Sequence, residues 1–302
     1  MKSLQRAWHR HSPQLFLGEL LEKRWMEPII PFTLTIAVFL AFAVMIPRYL
    51  TAGSLQELMR NFAEQGMVAI AMAFSVLSGG IDLSVGAVFA MSNFLALYLY
   101  LILGLPLPVT IVLVILFGAA MGAINGGLIA YGKTRPFLTT LVVLIIVRAA
   151  YNKVTVAFTN ELASIDSGSS TWDFMGSGRV LGIPFNMLVL ILLGVGTHFF
   201  LTRIKPGVHI MAVGSSRKAA RHAGVNVKRV LFSAYVMSGA IAALAGILYA
   251  ARQSSSGTDT GVGWEINALA AVVLGGISLA GGRGTIARAV MGAAIIFMLT
   301  SG

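Results

Sequence analysis

The chain has 302 residues, of which 57% are hydrophobic and only 11% charged, with a mean hydropathy of +0.85. A soluble domain carries roughly 25% charged residues, so this composition excludes a water-facing globule and describes a membrane protein whose length suits about eight to ten spans at about 20 residues each. Cysteine is absent, which excludes disulfide frameworks and thiolate metal or redox sites. The 22 Lys and Arg against 11 Asp and Glu give a net charge of +11. In a soluble protein that excess would suggest nucleic acid as a partner. In a membrane chain it first reports sidedness, and no nucleic-acid partner is expected.

Residues 1–28 form a basic leader carrying Lys2, Arg6, Arg10, Lys23 and Arg24. It reads as cytoplasmic rather than as a cleaved signal, because the apolar run after it, 29–46, is long enough to span and ends in Pro47-Arg48. Eight further apolar segments follow, at about 64–78, 84–103, 108–131, 137–151, 184–201, 230–251, 264–280 and 286–300. As one helix, 64–103 would reach about 60 Å, twice the hydrocarbon thickness. The chain must therefore turn at Ser78-Gly79-Gly80-Ile81-Asp82-Leu83-Ser84. The expected fold is an all-α polytopic bundle of about nine spans, with the spanning domain over 29–302.

With the N-terminus inside, the cytoplasmic segments hold the leader's cations, Lys133, Arg135, the seven cations of 202–229, Arg283 and Arg288. That is most of the Lys and Arg, as the positive-inside rule requires. The outer loops hold Glu57, Glu161, Asp166, Asp173 and Asp259.

Two loops are long. The outer one, 152–183, is rich in Ser, Gly, Thr and Asp, and its Trp172 and Phe174 read as headgroup-level anchors, with a docking surface as the alternative. The inner one, 202–229, has Arg203, Lys205, Arg217, Lys218, Arg221, Lys228 and Arg229 and no acid. Within it, the run Ser215 to Gly224 has a Ser N-cap, a helical stretch and a Gly stop, which predicts a cytoplasmic helix of about two turns. So short a helix is unstable alone. It lies either on anionic headgroups or against a partner that the small residues Ala219, Ala220, Ala223 and Gly224 admit closely.

Catalytic chemistry is not evident. There is no Gly-x-x-x-x-Gly-Lys-Ser/Thr phosphate loop, and the five histidines show no metal-ligand spacing. No catalytic residue, metal site or cofactor is expected in this chain. Glycine is more informative: Gly118, Gly122 and Gly126 share one face of the fourth span, and Gly239, Ala242 and Gly246 one side of the seventh, as in closely packed membrane helices. Gly275-Gly276 and Gly281-Gly282-Arg283-Gly284 predict a short or broken eighth span. Ionisable residues inside the spans are functional candidates: Asp82, Arg148 and Glu265, with Asn267 beside the last. For Asp82 a helix cap shared with Ser84 is the preferred reading. So few acids disfavour ion-coupled transport, which stands as the alternative function.

The motifs Gly79-Gly80-Ile81-Asp82-Leu83-Ser84-Val85-Gly86, Asn125-Gly126 with Pro136-Phe137-Leu138-Thr139-Thr140-Leu141, Gly214 with Ala219-Ala220 and Gly224-Val225, Ser238-Gly239 with Ala243-Leu244-Ala245-Gly246, and Ala270-Ala271-Val272-Val273-Leu274-Gly275-Gly276 with Gly281-Gly282-Arg283-Gly284 occur in order over about four fifths of the chain. In these the chain resembles the ribose, xylose and arabinose type permeases of bacterial ABC importers. The resemblance implies about ten spans in the bacterial inner membrane. It also implies a second permease copy, an ATP-binding subunit holding ATP and Mg, and a periplasmic binding protein that delivers a monosaccharide or similar small polar solute. It makes Ser215, Arg217, Lys218, Ala219, Ala220, Arg221, Ala223 and Gly224 the coupling helix that docks on the ATPase. It places Gly80, Asp82, Ser84, Asn125, Glu265 and Asn267 in the translocation path or in structural turns.

The chain departs from that pattern in three places. Gly214-Ser215-Ser216-Arg217 replaces an Asn-Gly-Gly-Asn-like approach to the coupling helix. Asn267 stands where the family commonly has an acid, and the family's closing helix is not found after Gly302.

Overall fold

The computed structural model describes residues 29–158 and 169–301. The basic leader, Glu161 and Asp166 lie outside the described residues. The elements in chain order are α1 (Ile29–Met45), α2 (Ala52–Leu77), α3 (Val85–Leu97, prolonged by a π-helical turn, Tyr98–Ile102), α4 (Leu107–Ala130), α5 (Pro136–Ala157), α6 (Ser170–Ser177), the strands β1 (Arg179–Val180) and β2 (Ile183–Pro184), α7 (Phe185–Arg203), α8 (Lys205–Ser215), α9 (Arg217–His222), α10 (Val227–Gln253), α11 (Trp264–Leu274) and α12 (Ile286–Ser301). The fold is an all-α bundle with one small antiparallel hairpin. Among the described residues five helical stretches are long and apolar enough to cross a membrane: Val85–Ile102, Leu107–Ala130, Pro136–Ala157, Phe185–Arg203 and Val227–Gln253. Ile29–Met45, Trp264–Leu274 and Ile286–Ser301 are shorter apolar helices.

The core is α3, the second half of α2 and most of α10. From Val85 to Ala90 every residue of α3 is buried, as is α2 from Gly66 to Leu77. Around it, α4, α5 and α7 turn apolar residues such as Leu116, Ile146 and Leu192 outwards. Without a water-driven hydrophobic force between helices, close packing decides who meets whom. The most extensive interhelical contact is α4 on α10, and it is made by the predicted glycine face. A side chain at Gly118 would strike Gly239 and Ala243, one at Gly122 the carbonyl of Tyr235, and one at Gly126 the backbone of Phe232.

Several predicted boundaries move. The second helix begins at Ala52, so Glu64 sits inside it rather than at its edge. The eighth span does not reach Ala280: α11 stops at Leu274, because Gly276 takes a positive φ of 79°. There Gly276 N–H and Ile277 N–H turn back to the carbonyls of Val273 and Val272, the paired bonds of a glycine-terminated helix. The 202–229 loop is mostly helical, with α8 unforeseen. The 152–183 loop contains the end of α5, α6 and the hairpin. Trp172 is neither anchor nor docking surface: it is fully buried and stacks on Tyr100 with ring centroids 4.8 Å apart. Phe174 stays partly exposed.

Both ends of the bundle fold inwards. One end gathers the 78–84 turn, the α8–α9 corner and the 275–285 segment; the other gathers α6, the hairpin and the 254–263 loop. On α5, Thr140 holds the 78–84 turn, while Arg148, about 12 Å further along the helix, donates to the carbonyls of Thr260 at 2.6 Å and Gly261 at 2.9 Å. Tyr151 donates to Gly257 O at 2.6 Å. Two irregular segments thus approach the first turns of α3 from opposite ends, and the carbonyls of Ile81, Gly257, Thr260 and Gly261 are satisfied by side chains.

Gly122→Leu is expected to lower stability by about 1–3 kcal/mol or to prevent folding, through overpacking against α10. Gly127→Leu, at a position with open space beside it, is expected to be tolerated. Thermal unfolding of the two purified variants in detergent compares them.

Candidate coupling helix and buried polar centre

The predicted short helix is α9. Ser216 accepts the Ala219 N–H at 3.2 Å as its N-cap. It ends where Gly224, at φ 81°, and Val225 return their N–H groups to the carbonyls of Arg221 and Ala220. Ser215, Arg217, Lys218, Ala219, Arg221, Ala223 and Gly224 are exposed, whereas Ala220 is buried. Among the described residues no atom lies within 4 Å of where a Gly224 side chain would begin, so that glycine is required there by its backbone conformation rather than by packing. Ser215 and Arg217 engage the bundle: the Ser215 hydroxyl lies 3.0 Å from Met211 O and 3.2 Å from Gly282 O, and Arg217 Nη2 donates to Gly79 O at 3.1 Å.

The turn that receives Arg217 leads into a buried polar centre. Gly79, at φ 84°, closes α2: its N–H bonds Val76 O, and Gly80 N–H bonds Ser75 O. Asp82 Oδ1 accepts the Ser84 N–H at 3.1 Å and hydroxyl at 2.6 Å, and Asp82 Oδ2 accepts the Ser238 hydroxyl of α10 at 2.9 Å. From α4, Asn125 Nδ2 donates to Ser84 Oγ at 2.8 Å and lies 3.4 Å from Asp82 Oδ1. All four residues are almost completely buried. The Ser84 side chain makes no cap bond to α3; Asp82 instead bonds the N–H of Ser84, just before α3, and joins that turn to α4 and α10. The Thr140 hydroxyl bonds Ile81 O at 3.2 Å and accepts Leu83 N–H at 3.1 Å, and Tyr235 Oη reaches Ile81 O at 3.4 Å. Gly80 lies where a side chain would meet the Tyr235 hydroxyl.

Glu265 and Asn267 lie apart from this centre. The Glu265 carboxylate rests over Gly86, with Oε2 buried and without a hydrogen-bond partner. Asn267 lines a small cleft with Gln65 and Trp264. Phe89 stacks on Trp264 at 4.3 Å, with Tyr249 edge-on to both.

Sequence reasoning missed Ser238 as a partner of Asp82, and Tyr235 and Thr140 as partners of the backbone of Ile81 and Leu83, although Ser238 adjoins the small-residue face and Thr140 lies in the Pro136 to Leu141 motif. It also missed a buried ion pair. Arg252 Nε lies 3.0 Å from Glu64 Oε1, with side-chain exposures of 11% and 0%. Asn186 Nδ2 donates to the same oxygen at 2.8 Å, so α2, α7 and α10 meet there. The one available signal was an acid inside an apolar stretch.

Comparison with known proteins gives the family. Residues 54–302 match the family described as "Branched-chain amino acid transport system / permease component". The chain belongs to this family. The permease is 31% identical over 287 residues to the ribose import permease protein of Escherichia coli (strain K12), covering 93% of this chain and 87% of that one. It is 34% identical over 282 residues to the ribose import permease protein of Bacillus subtilis (strain 168), covering 92% and 85%. It is 33% identical over 277 residues to the fructose import permease protein of Rhizobium meliloti, covering 90% and 77%. No solved structure matches it. The permease is thus a multi-pass transport subunit rather than an enzyme.

Two substitutions probe the buried groups. Arg252→Leu leaves Glu64 without its charged partner and is expected to cost about 3–5 kcal/mol, most of it recovered in Glu64→Met/Arg252→Leu; equilibrium unfolding of the three proteins measures this. Asp82→Asn turns an acceptor of four donor groups, from three residues, into a group that must itself donate. It is expected to reduce the yield of folded protein without changing which solute the survivors transport. Normal yield with altered solute preference would contradict that.

Proposed function

We propose that the permease is the membrane subunit of an ATP-driven importer for a monosaccharide or similar small polar solute. The observation that carries this reading is that relatives aligned over nine tenths of the chain are named as import permeases for ribose or fructose. Those names refer to sugars, whereas the family description refers to branched-chain amino acids; the likeness to sugar permeases over nine tenths of the chain supports sugar.

In this reading the N-terminus is cytoplasmic, the chain crosses about nine times, and the end bearing α9 faces the cytoplasm. Lys133, Arg135, Arg203, Lys205, Lys228 and Arg229 lie at that end, as the distribution of cations across a bilayer requires. The exposed face of α9, with Lys218, Ala219, Arg221, Ala223 and Gly224, docks on an ATP-binding subunit that holds ATP and Mg. Its small residues let the partner approach the backbone. The opposite end receives a periplasmic binding protein, and a second permease copy completes the path. Glu265 and Asn267 face that path, whereas Gly80, Asp82, Ser84 and Asn125 form the structural turn beside it. ATP binding closes the ATPase pair, α9 moves, the helices open outwards to accept solute, and hydrolysis resets them. No observation favours the ion-coupled alternative: Glu64 is paired with Arg252, and Asp82 is occupied by donors from three residues.

The test is co-purification. The permease in mild detergent is expected to retain a P-loop ATPase, and Ala219→Trp or Ala223→Trp to release it. Val262→Trp, exposed at the opposite end, is expected to retain it. Unaltered retention in the α9 variants would move the docking surface elsewhere.

A further inference from the structure

We propose that Arg217 is a positioning residue that carries the movement of α9 into the α2–α3 turn, and not a contact with the ATPase. The inference rests on the docking reading above and assigns one of the expected docking residues a different task. Three observations support it.

The first is where the guanidinium goes. It donates to Gly79 O at 3.1 Å, the carbonyl of the residue that terminates α2 at a positive φ. A helix end leaves carbonyls without intrahelical partners, and here a side chain of another element supplies one. A guanidinium donor makes a stronger bond than a neutral group does.

The second is the set of bonds made by the residues just beyond Gly79. Ile81 O holds Thr140 of α5 and Tyr235 of α10, and Asp82 holds Ser84, Asn125 of α4 and Ser238 of α10. A displacement of Gly79 therefore reaches α3, α4, α5 and α10 through at most three covalently linked residues. Buried groups of this kind cannot lose their partners cheaply, so they move together or exchange partners.

The third is that the connection is stiff. Gly214, at the end of α8, lies against the carbonyl of Leu77, and Gly281 lies against Gly79, with no room for a side chain at either. Gly282 N–H donates to Leu77 O at 2.9 Å, while Ser215 Oγ reaches Gly282 O. The α8–α9 corner, the end of α2 and the 275–285 segment are joined backbone to backbone, so rotation of α9 is not absorbed by soft side chains. Within that joint Arg217 is the charged side chain of α9 bonded to the turn itself.

The experiment uses the full permease reconstituted in proteoliposomes with its ATPase and solute-loaded binding protein. It measures ATPase retention, ATP hydrolysis and solute uptake for wild type, Arg217→Ala and Arg217→Lys. Arg217→Ala is expected to retain the ATPase and hydrolyse ATP, while uptake per ATP falls by about tenfold, the scale of one lost hydrogen bond from a charged donor. Arg217→Lys, which keeps a cationic donor, is expected to recover part of the uptake.

The chain has no cysteine, so Arg217→Cys can also be labelled selectively. Aminoethyl methanethiosulfonate, applied before reconstitution, replaces the cation and is expected to raise uptake over the unlabelled variant. Loss of ATPase retention in Arg217→Ala would overturn the proposal in favour of a docking role, and uptake equal to wild type would overturn it outright. Failure of the wild-type permease itself to retain an ATPase would instead overturn the importer reading on which it rests.

Discussion

The approach of α4 to α10 is the constraint on which the rest of the structure depends. Gly118, Gly122 and Gly126 bring the α4 backbone against Gly239, Tyr235 and Phe232, closer than any side chain would allow. Asn125 sits within that glycine series, and Ser238 adjoins Gly239. The same approach therefore carries both residues to Asp82. A carboxylate buried this deeply is tolerable only when donors surround it, and the glycine seam is what brings two of the three donor residues, Asn125 and Ser238, from separate helices. Packing and polar satisfaction are here one arrangement: loosen the seam and the buried acid loses its partners.

Because the centre is fixed by α4 and α10, the start of α3 is fixed with it, and two irregular segments can enter the bundle from its two ends. The 78–84 turn is held by Thr140, Tyr235 and Arg217, and the 254–263 loop by Arg148 and Tyr151. Non-helical backbone at this depth is stable only where protein satisfies it. Such a layout places deformable backbone beside rigid helices, and in the proposed importer those are the places where an inward-facing and an outward-facing path differ. The Glu64–Arg252 pair ties α2, α7 and α10 in the half away from α9, so the two halves are fastened by different chemistry. One has a web of hydrogen bonds around a carboxylate and the other an ion pair.

Much of this was legible in the sequence, for identifiable reasons. Long apolar runs, glycines at four-residue spacing and a Ser-capped, Gly-stopped basic helix are local patterns, and each corresponds to an element found in the structure. The partners of the 78–84 turn were not legible, since Ser238 and Thr140 are ordinary residues in apolar helices until tertiary contact brings them to it. Glu64 read as a boundary because it interrupts an apolar run; its burial depends on Arg252, distant in sequence. Trp172 was misread from composition, as its polar surroundings suggested exposure while Tyr100, on another element, buries it. Arg217 looked like its basic neighbours, and only its bond to Gly79 separates it from them.

That this permease moves a sugar at the expense of ATP hydrolysed by a partner is tested most directly by uptake in proteoliposomes. Labelled ribose and fructose would be offered with the loaded binding protein, with and without the ATPase and ATP, and separately under an imposed proton or sodium gradient. Uptake of a sugar is expected only when the ATPase and ATP are present, and none from either gradient. Uptake driven by an ion gradient without the ATPase would contradict the importer mechanism.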